Sequence, residues 1–258
     1  MTNAVLYDVR DGVGIATLNR PEKFNCISSE LLAGLSEALA RFEDDAAVRS
    51  MLIRSSGKQF CTGADLLEIT DARKQARTVA QWVSSFHGVL NALEASPLPI
   101  VAAVQGLALA GGLEIVLACD VVFAADSAQL GDQHAQFGLV PGGGGTQRLP
   151  RLVGLRRALE LMYSARWLDA AEAERWGLVN HVVPAAELEE ASLKFCVELA
   201  GRSPQGLTAM KHLARKGLAM SPADGLRLEE VSVVDELMSD SVTEGLAAFR
   251  ERRRPVFD

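Results

Sequence analysis

The stretch that decides the fold runs from Pro99 to Asp126 and reads PIVAAVQGLALAGGLEIVLACDVVFAAD. It is almost entirely apolar, and its length alone would suit a membrane-spanning helix. Polar residues interrupt the apolar pattern, however, and glycines break any continuous helix. The interrupting residues are Gln105, Glu114, Asp120, Gly106, Gly111 and Gly112. We therefore predict a strand, a loop, a buried helix and a second strand.

Strand and helix patterns alternate on the N-terminal side of this stretch. Two extended segments flank Asp11-Gly12, which is a signal for a β-hairpin. Ser28 precedes leucines at helical spacing and is a suitable N-cap, and the segment at residues 50–56 has the pattern of a strand. From about Leu155 onward the pattern is helical. This order predicts an α/β layer architecture with a helical C-terminal part.

We expect one continuous unit, with residues 1–200 forming the α/β core and residues 201–258 forming a helical C-terminal region. The composition is that of an ordinary globular protein, with 48% hydrophobic residues, 23% charged residues and a net charge of -7. A negative surface does not attract nucleic acid. The cysteines and histidines lack metal-ligand spacing, and the N-terminus lacks a signal-peptide pattern. We therefore expect a cytoplasmic protein without a metal, a nucleic-acid partner or a membrane partner.

Three segments place glycine beside residues that can carry chemistry. They are FCTGADL at residues 60–66, ALAGGLE at residues 108–114 and GDQHAQFGLVPGGGGTQ at residues 131–147. Glycine at a helix start leaves backbone N–H groups accessible, and two such groups converging on one point form an oxyanion hole. Plain glycine turns between strand and helix are the alternative. The run of four glycines is not a Walker loop, because no Lys-Ser/Thr pair follows it.

Glu114 lies inside the apolar stretch, where an unpaired carboxylate is costly or takes up a proton at a raised pKa. Such a glutamate beside oxyanion donors suits a general acid or base. The alternative is a structural glutamate that is bound by neighbouring backbone or by an arginine.

Taken together, these motifs resemble the enoyl-CoA hydratase/isomerase (crotonase) superfamily from about Val5 to Phe257. The segments that carry the resemblance are NRPEKFNCIS, FCTGADL, PIVAAVQGLALAGGLEIVLACDVVFAADSAQLG, GLVPGGGGTQRLPRLVG, AAEAERWGLVNHVV and GLAAFRERRRPVF. The resemblance implies a spiral of ββα units with a helical C-terminal trimerisation region. It also implies a homo-oligomer, either a trimer or a dimer of trimers. The implied substrates are acyl-CoA thioesters, with coenzyme A as part of the substrate and no separate cofactor.

The resemblance also implies roles for individual residues. The backbone N–H groups of Ala64 and Gly111 match the pair that holds the thioester oxygen. Other positions match the groove for coenzyme A, and two C-terminal positions match residues that approach its nucleotide. The groove residues are Lys23, Phe24, Asp65 and Leu66, and the C-terminal residues are Phe249 and Arg252.

Glu114 matches the first catalytic glutamate of the hydratases, but His134 occupies the position of the second. Histidine titrates near neutrality and can carry a proton, although it can also be a structural hydrogen-bonding residue. Asp132 either orients His134 or is a solvated loop acid, and we favour the loop acid.

We expect a hydratase-like lyase that adds water to an α,β-unsaturated acyl-CoA. The alternatives are another enolate reaction (double-bond isomerisation, decarboxylation or C–C hydrolysis) and a non-catalytic or RNA-binding homologue, which the negative charge disfavours.

Overall fold

The structure, a computed structural model, describes residues 4–257. The strands are β1 Val5–Arg10, β2 Val13–Leu18, β3 Ser50–Ser55, β4 Ile100–Val104, β5 Leu107–Leu109, β6 Val121–Ala125, β7 Gln129–Gly131, β8 Leu168–Asp169 and β9 His181–Val183. The helices are α1 Ser29–Asp44, α2 Leu66–Ala72, α3 Ala76–Ala95, α4 Gly111–Ala118, α5 Gly145–Val153, α6 Leu155–Ser164, α7 Ala170–Arg175, α8 Leu188–Ala200, α9 Pro204–Gly217, α10 Pro222–Leu237 and α11 Asp240–Glu251. Short 3₁₀ helices lie at Pro21–Lys23, Ala135–Phe137 and Ala185–Glu187.

The strands form two sheets. A 6-stranded sheet has the order β1-β2-β3-β4-β6-β9, and a 3-stranded sheet has the order β5-β7-β8. In the larger sheet β1 and β2 are antiparallel and form the predicted hairpin, and the other neighbours are parallel. Its central strands are buried almost throughout, as expected for parallel strands that are covered on both faces.

The stretch from Pro99 to Asp126 folds as predicted, and the loop additionally contains the short strand β5. Every residue of α4 is buried, including Glu114, because this helix lies in the protein core. Within residues 4–257, no helix is both long and apolar enough to cross a membrane.

The predicted helix cap at Ser28 is confirmed. Its Oγ accepts a hydrogen bond of 3.1 Å from the backbone N–H of Leu31, at the start of α1. A serine in this position satisfies a backbone donor that has no partner within the helix. The apolar face of α1 then packs into the core, with Leu31, Leu35 and Phe42 buried.

The chain beyond Leu155 is less uniformly helical than predicted. The short strand β9 completes the larger sheet by pairing with β6, and β8 completes the smaller sheet by pairing with β7. Three helices follow α8. These strands have only 3 and 2 residues, too few for a periodic pattern, and pairing with distant strands is what stabilises them.

Candidate active site

The two segments predicted to form an oxyanion hole lie side by side. Cys61 and the strand β5 exchange backbone hydrogen bonds, from Cys61 N to Leu107 O at 3.1 Å and from Leu109 N to Cys61 O at 2.9 Å. A Cβ atom added to Gly63 would lie 3.6 Å from the backbone nitrogen of Gly111, so these backbones are in close contact.

The two predicted oxyanion donors lie at this contact: Ala64 is the residue after Gly63, and the Gly111 nitrogen is itself part of the contact. Ala110, the N-cap of α4, has φ 51 and ψ -117, a backbone conformation that is strained for a residue with a Cβ. Among the described residues, neither the Ala64 N–H nor the Gly111 N–H donates a hydrogen bond to a protein acceptor. Both donors are therefore available to a ligand, and their role in catalysis stays a prediction.

Glu114 lies one turn into α4 and is 1% exposed. Its Oε1 accepts hydrogen bonds from the backbone N–H groups of Gly143, at 2.7 Å, and Gly145, at 2.8 Å. Its Oε2 is buried and has no hydrogen-bond partner within the described part of the chain. Burial raises the pKa of Glu114 even though both N–H groups favour the ionised form. One oxygen of the carboxylate is thus fixed and the other is free for proton transfer.

The four consecutive glycines form the cradle for this carboxylate. A Cβ atom at Gly143 would meet the ring of Phe86 at 2.4 Å, and one at Gly145 would lie 3.1 Å from Glu114 Oε1. Gly144 has a φ of +95, which only glycine adopts readily, whereas a Cβ at Gly142 would meet nothing within 4 Å. The run is therefore more than a plain glycine turn, because the N–H groups of Gly143 and Gly145 hold Glu114.

His134 lies beside the free oxygen of Glu114, with its Nε2 3.9 Å from Oε2. Its Nδ1 lies 2.9 Å from Asp132 Oδ1, and its backbone N–H donates to the same oxygen at 3.1 Å. Burial opposes protonation of the imidazole, but the hydrogen bond to Asp132 and the nearby negative charges outweigh burial and raise the pKa of His134.

The interpretation of Asp132 as a solvated loop acid is wrong. Asp132 is 2% exposed, and its carboxylate binds the imidazole of His134. With Nδ1–H donating to this carboxylate, Nε2 faces Glu114 and is the atom available for chemistry. The distance between Nε2 and Oε2 is too long for a direct hydrogen bond, but one water can lie about 2.8 Å from both atoms.

The residues predicted to line the groove for coenzyme A come from two adjacent segments. Ile27 joins the segments, because its N–H donates to Gly63 O and its carbonyl accepts from Asp65 N, both at 2.8 Å. Phe24 and Leu66 are exposed. The Asp65 side chain is buried, caps α2 by accepting from Leu67 N and forms an ion pair of 3.0 Å with Arg20. Lys23 is exposed at the end of a 3₁₀ helix.

Two residues that sequence reasoning missed hold this groove segment in place. The guanidinium of Arg20 bridges the carbonyl of Cys26 and the carboxylate of Asp65. Asn25 is buried with a φ of 54, and its side chain donates to Ser56 O and Gln59 O. Asparagine next to a short proline-started helix is a signal for a left-handed residue, and that signal could have identified Asn25.

Phe249 and Arg252 lie at the C-terminal end of α11. Phe249 is 83% exposed, and Arg252 has the left-handed conformation that ends the helix. The hydrogen bonds and ion pairs of the described residues do not join either residue to Glu114 or His134. The role of these two residues in binding coenzyme A stays a prediction.

Comparison with known proteins agrees with this geometry. The sequence profile of the enoyl-CoA hydratase/isomerase family matches residues 8–258. The mouse mitochondrial methylglutaconyl-CoA hydratase is 39% identical over 257 residues, which cover 98% of this chain and 81% of the mouse protein. An enoyl-CoA hydratase from Bacillus anthracis superposes with a TM-score of 0.94 at 36% identity, covering 98% of each chain. One from Polaromonas sp. JS666 superposes with a TM-score of 0.95 at 30% identity, covering 98% of this chain and 99% of the other. This chain belongs to the enoyl-CoA hydratase/isomerase family and has the crotonase fold.

Proposed function

We propose that this protein is an enoyl-CoA hydratase, which adds water across the α,β double bond of an unsaturated acyl-CoA thioester. The observation that carries the proposal is the placement of Glu114 Oε2 opposite His134 Nε2, 3.9 Å apart. Hydration requires one group that takes a proton from water and one that gives a proton to the α-carbon. A buried carboxylate and an imidazole with a carboxylate on its other nitrogen provide this pair.

In the proposed reaction, Glu114 Oε2 removes a proton from the water that lies between the two groups. The water oxygen forms a bond to the β-carbon, and the electrons of the double bond move onto the thioester oxygen as an enolate. When the enolate collapses, the Nε2–H of His134 transfers its proton to the α-carbon. Transfer of the proton on Glu114 to His134 through the next water restores the starting state.

The N–H groups of Ala64 and Gly111 stabilise the enolate in this proposal. They are fixed backbone dipoles, so they need not reorient as the negative charge develops. Loss of one oxyanion donor typically costs about 2.7 to 4 kcal/mol of transition-state stabilisation. The strained conformation of Ala110 supports this role, because it is the residue that directs the Gly111 N–H at the start of α4.

The proposal extends to the binding of the substrate and to the assembly. Coenzyme A would lie along the groove that contains the Lys23–Phe24 and Asp65–Leu66 backbone, with Phe249 and Arg252 near its nucleotide. We expect a cytoplasmic homo-oligomer, a trimer or a dimer of trimers, that needs no separate cofactor. Because relatives are named methylglutaconyl-CoA hydratase and enoyl-CoA hydratase, thioesters of both kinds belong among the test substrates.

The test is to incubate the protein with a panel of enoyl-CoA thioesters in heavy water and to measure the masses of the products by mass spectrometry. The proposal expects a gain of one molecule of water for at least one thioester. Deuterium at the α-carbon without a gain of water would indicate an isomerase instead, and loss of carbon would indicate decarboxylation or C–C cleavage. Glu114→Gln, incubated with the same panel, controls for reaction without the enzyme.

A further inference from the structure

Arg148 lies behind the glycine cradle, on the first turn of α5. Its Nη1 donates to the carbonyl oxygen of Gly143 at 2.6 Å, while its Nη2 donates to Asn91 Oδ1 at 2.8 Å and to Glu94 Oε2 at 2.6 Å. Its side chain is only 12% exposed. The guanidinium therefore joins the cradle to the C-terminal half of α3 through three charge-assisted hydrogen bonds.

The acceptors on α3 are themselves fixed. Glu94 also accepts a hydrogen bond of 2.8 Å from Arg215 on α9, and Arg215 in turn pairs with Asp120 at 2.7 Å. This network anchors the far side of Arg148 to α3 and α9 and to the end of α4. An arginine held in this way has little freedom to move relative to α3 and α4.

Gly143 carries the effect of Arg148 to Glu114. The Gly143 carbonyl accepts from Arg148, and the Gly143 N–H donates to Glu114 Oε1 at 2.7 Å. Gly144, the glycine of the cradle directly before α5, permits the approach, because a Cβ there would lie 2.2 Å from Arg148 Nη1. The carboxylate and the guanidinium thus face each other across one loop, without direct contact.

From these contacts we infer that Arg148 is a positioning residue for Glu114, acting through the backbone of Gly143. By fixing the loop, Arg148 aims the Gly143 N–H at Oε1 and so keeps Oε2 directed at His134. The inference rests on the proposed role of Glu114 as the base for water. Its consequence is that a side chain without direct contact to Glu114 sets both the orientation and the proton affinity of the reacting carboxylate.

The test compares Arg148→Met with Arg151→Met, a matched control in the same helix. Arg151 is exposed, and its guanidinium bonds to Gln147 O of its own helix. Misplacement of a reacting group by about 1 Å can cost 10²-fold in rate, so we expect kcat for an enoyl-CoA to fall about 10- to 100-fold in Arg148→Met with KM unchanged. Arg151→Met should keep the kcat and KM of the wild type.

A second measurement does not depend on turnover. The carboxyl ¹³C signal of Glu114, assigned by its loss in Glu114→Gln, is titrated in the wild type and in both arginine variants. A less firmly held Gly143 N–H stabilises the ionised form less, so the pKa of Glu114 should rise in Arg148→Met and stay at the wild-type value in Arg151→Met. Two other charged groups act on Glu114, namely His134 and Asp132, and both are unchanged in the two variants.

An unchanged pKa of Glu114, or an unchanged kcat, in Arg148→Met overturns the inference. If the wild type hydrates no enoyl-CoA, the proposed function fails while the titration still decides the role of Arg148. Should Arg148→Met fail to fold, Arg148→Lys decides alone. Lysine keeps the positive charge but lacks the planar fork whose two nitrogens reach Gly143 O on one side and the acceptors on α3 on the other, so the pKa of Glu114 should again exceed that of the wild type. Equal values in Arg148→Lys and the wild type overturn the inference.

Discussion

His134 Nε2 lies 3.9 Å from Glu114 Oε2, and within residues 4–257 that oxygen has no hydrogen-bond partner. A buried carboxylate oxygen without a partner costs free energy in the resting protein. The Oε1 atom of the same carboxylate is held by two N–H groups. The site therefore leaves unpaired the one oxygen that the proposed reaction uses, and the predictions below address the groups around it.

Replacement of Glu114 by glutamine should nearly abolish hydration. Glutamine keeps an oxygen for the Gly143 and Gly145 N–H groups but cannot accept a proton from water. General acid-base groups typically contribute about 10² to 10⁴ in rate, and we expect kcat to fall by this factor while binding of the CoA thioester changes only several-fold. Steady-state kinetics and calorimetric binding measure the two quantities. Full activity in this variant would show that Glu114 is not the base.

The pH profile of kcat/KM should report His134 if this residue donates the α-proton. Activity requires the imidazolium, so kcat/KM should fall as pH rises through the pKa of His134, which lies above its usual value. This alkaline limb should vanish in His134→Gln. In His134→Glu a carboxylate takes over, so hydration should be retained or rise, and the limb should move to lower pH unless burial raises the pKa of the new carboxyl. A wild-type rate and profile in His134→Gln would leave Glu114 as a lone base.

Asp132→Asn should lower the pKa of His134, because the substitution removes the negative charge and the strong acceptor beside Nδ1. The alkaline limb of kcat/KM should therefore move to lower pH than in the wild type.

The thermal stability of Asp132→Asn provides a second check. A histidine with a raised pKa stabilises the folded state below its unfolded pKa of about 6.5, and this contribution is lost as pH rises through the folded pKa. The Tm deficit of Asp132→Asn should thus be larger at pH 6 than at alkaline pH, and a limb that does not move would contradict the contact.

The glycine cradle should tolerate alanine at Gly142 and not at Gly143. A Cβ at Gly143 would meet the Phe86 ring at 2.4 Å and Glu114 Oε2 at 2.9 Å, whereas a Cβ at Gly142 meets nothing within 4 Å. Overpacking of this kind typically costs about 1 to 3 kcal/mol of folding free energy. We expect Gly143→Ala to lower both Tm and kcat and Gly142→Ala to keep both. Equal effects of the two substitutions, measured by thermal unfolding and kinetics, would speak against the cradle.

The assembly prediction requires only a mass measurement. The chain has a mass of 27.6 kDa, and the exposed apolar side chains of the C-terminal helices include Leu226, Val234 and Leu246. Burial of such side chains between subunits would stabilise an oligomer. Light scattering at micromolar concentration should give three or six times the chain mass. A monomeric mass would contradict the proposed assembly.

Local signals predicted much of the fold, and contacts between distant segments account for what they missed. The Ser28 cap and the Asp11-Gly12 hairpin depend on neighbouring residues, and both were predicted correctly. The burial of Asp132 depends instead on the pairing of β7 with β5 and β8, which the sequence pattern did not reveal. The role of the glycine run likewise depends on Glu114, 29 and 31 positions away from its two donors. No pattern within the run itself indicates that its N–H groups bind a carboxylate.

The pairing of β5 with β7 determines where both proton carriers lie. Leu109 pairs with Gly131, and the N–H of Ala110 donates to Gly131 O at 2.9 Å, just where the two strands end. Glu114 follows from the first strand and His134 from the second, so a slip of one residue would displace them by about 3.3 Å relative to each other. Position 134 is therefore located by the backbone and not by its own side chain. Exchanging imidazole for carboxylate there should alter the acidity of the proton donor while leaving its place in the site unchanged, so that the pH range of the enzyme can be adjusted by a single residue.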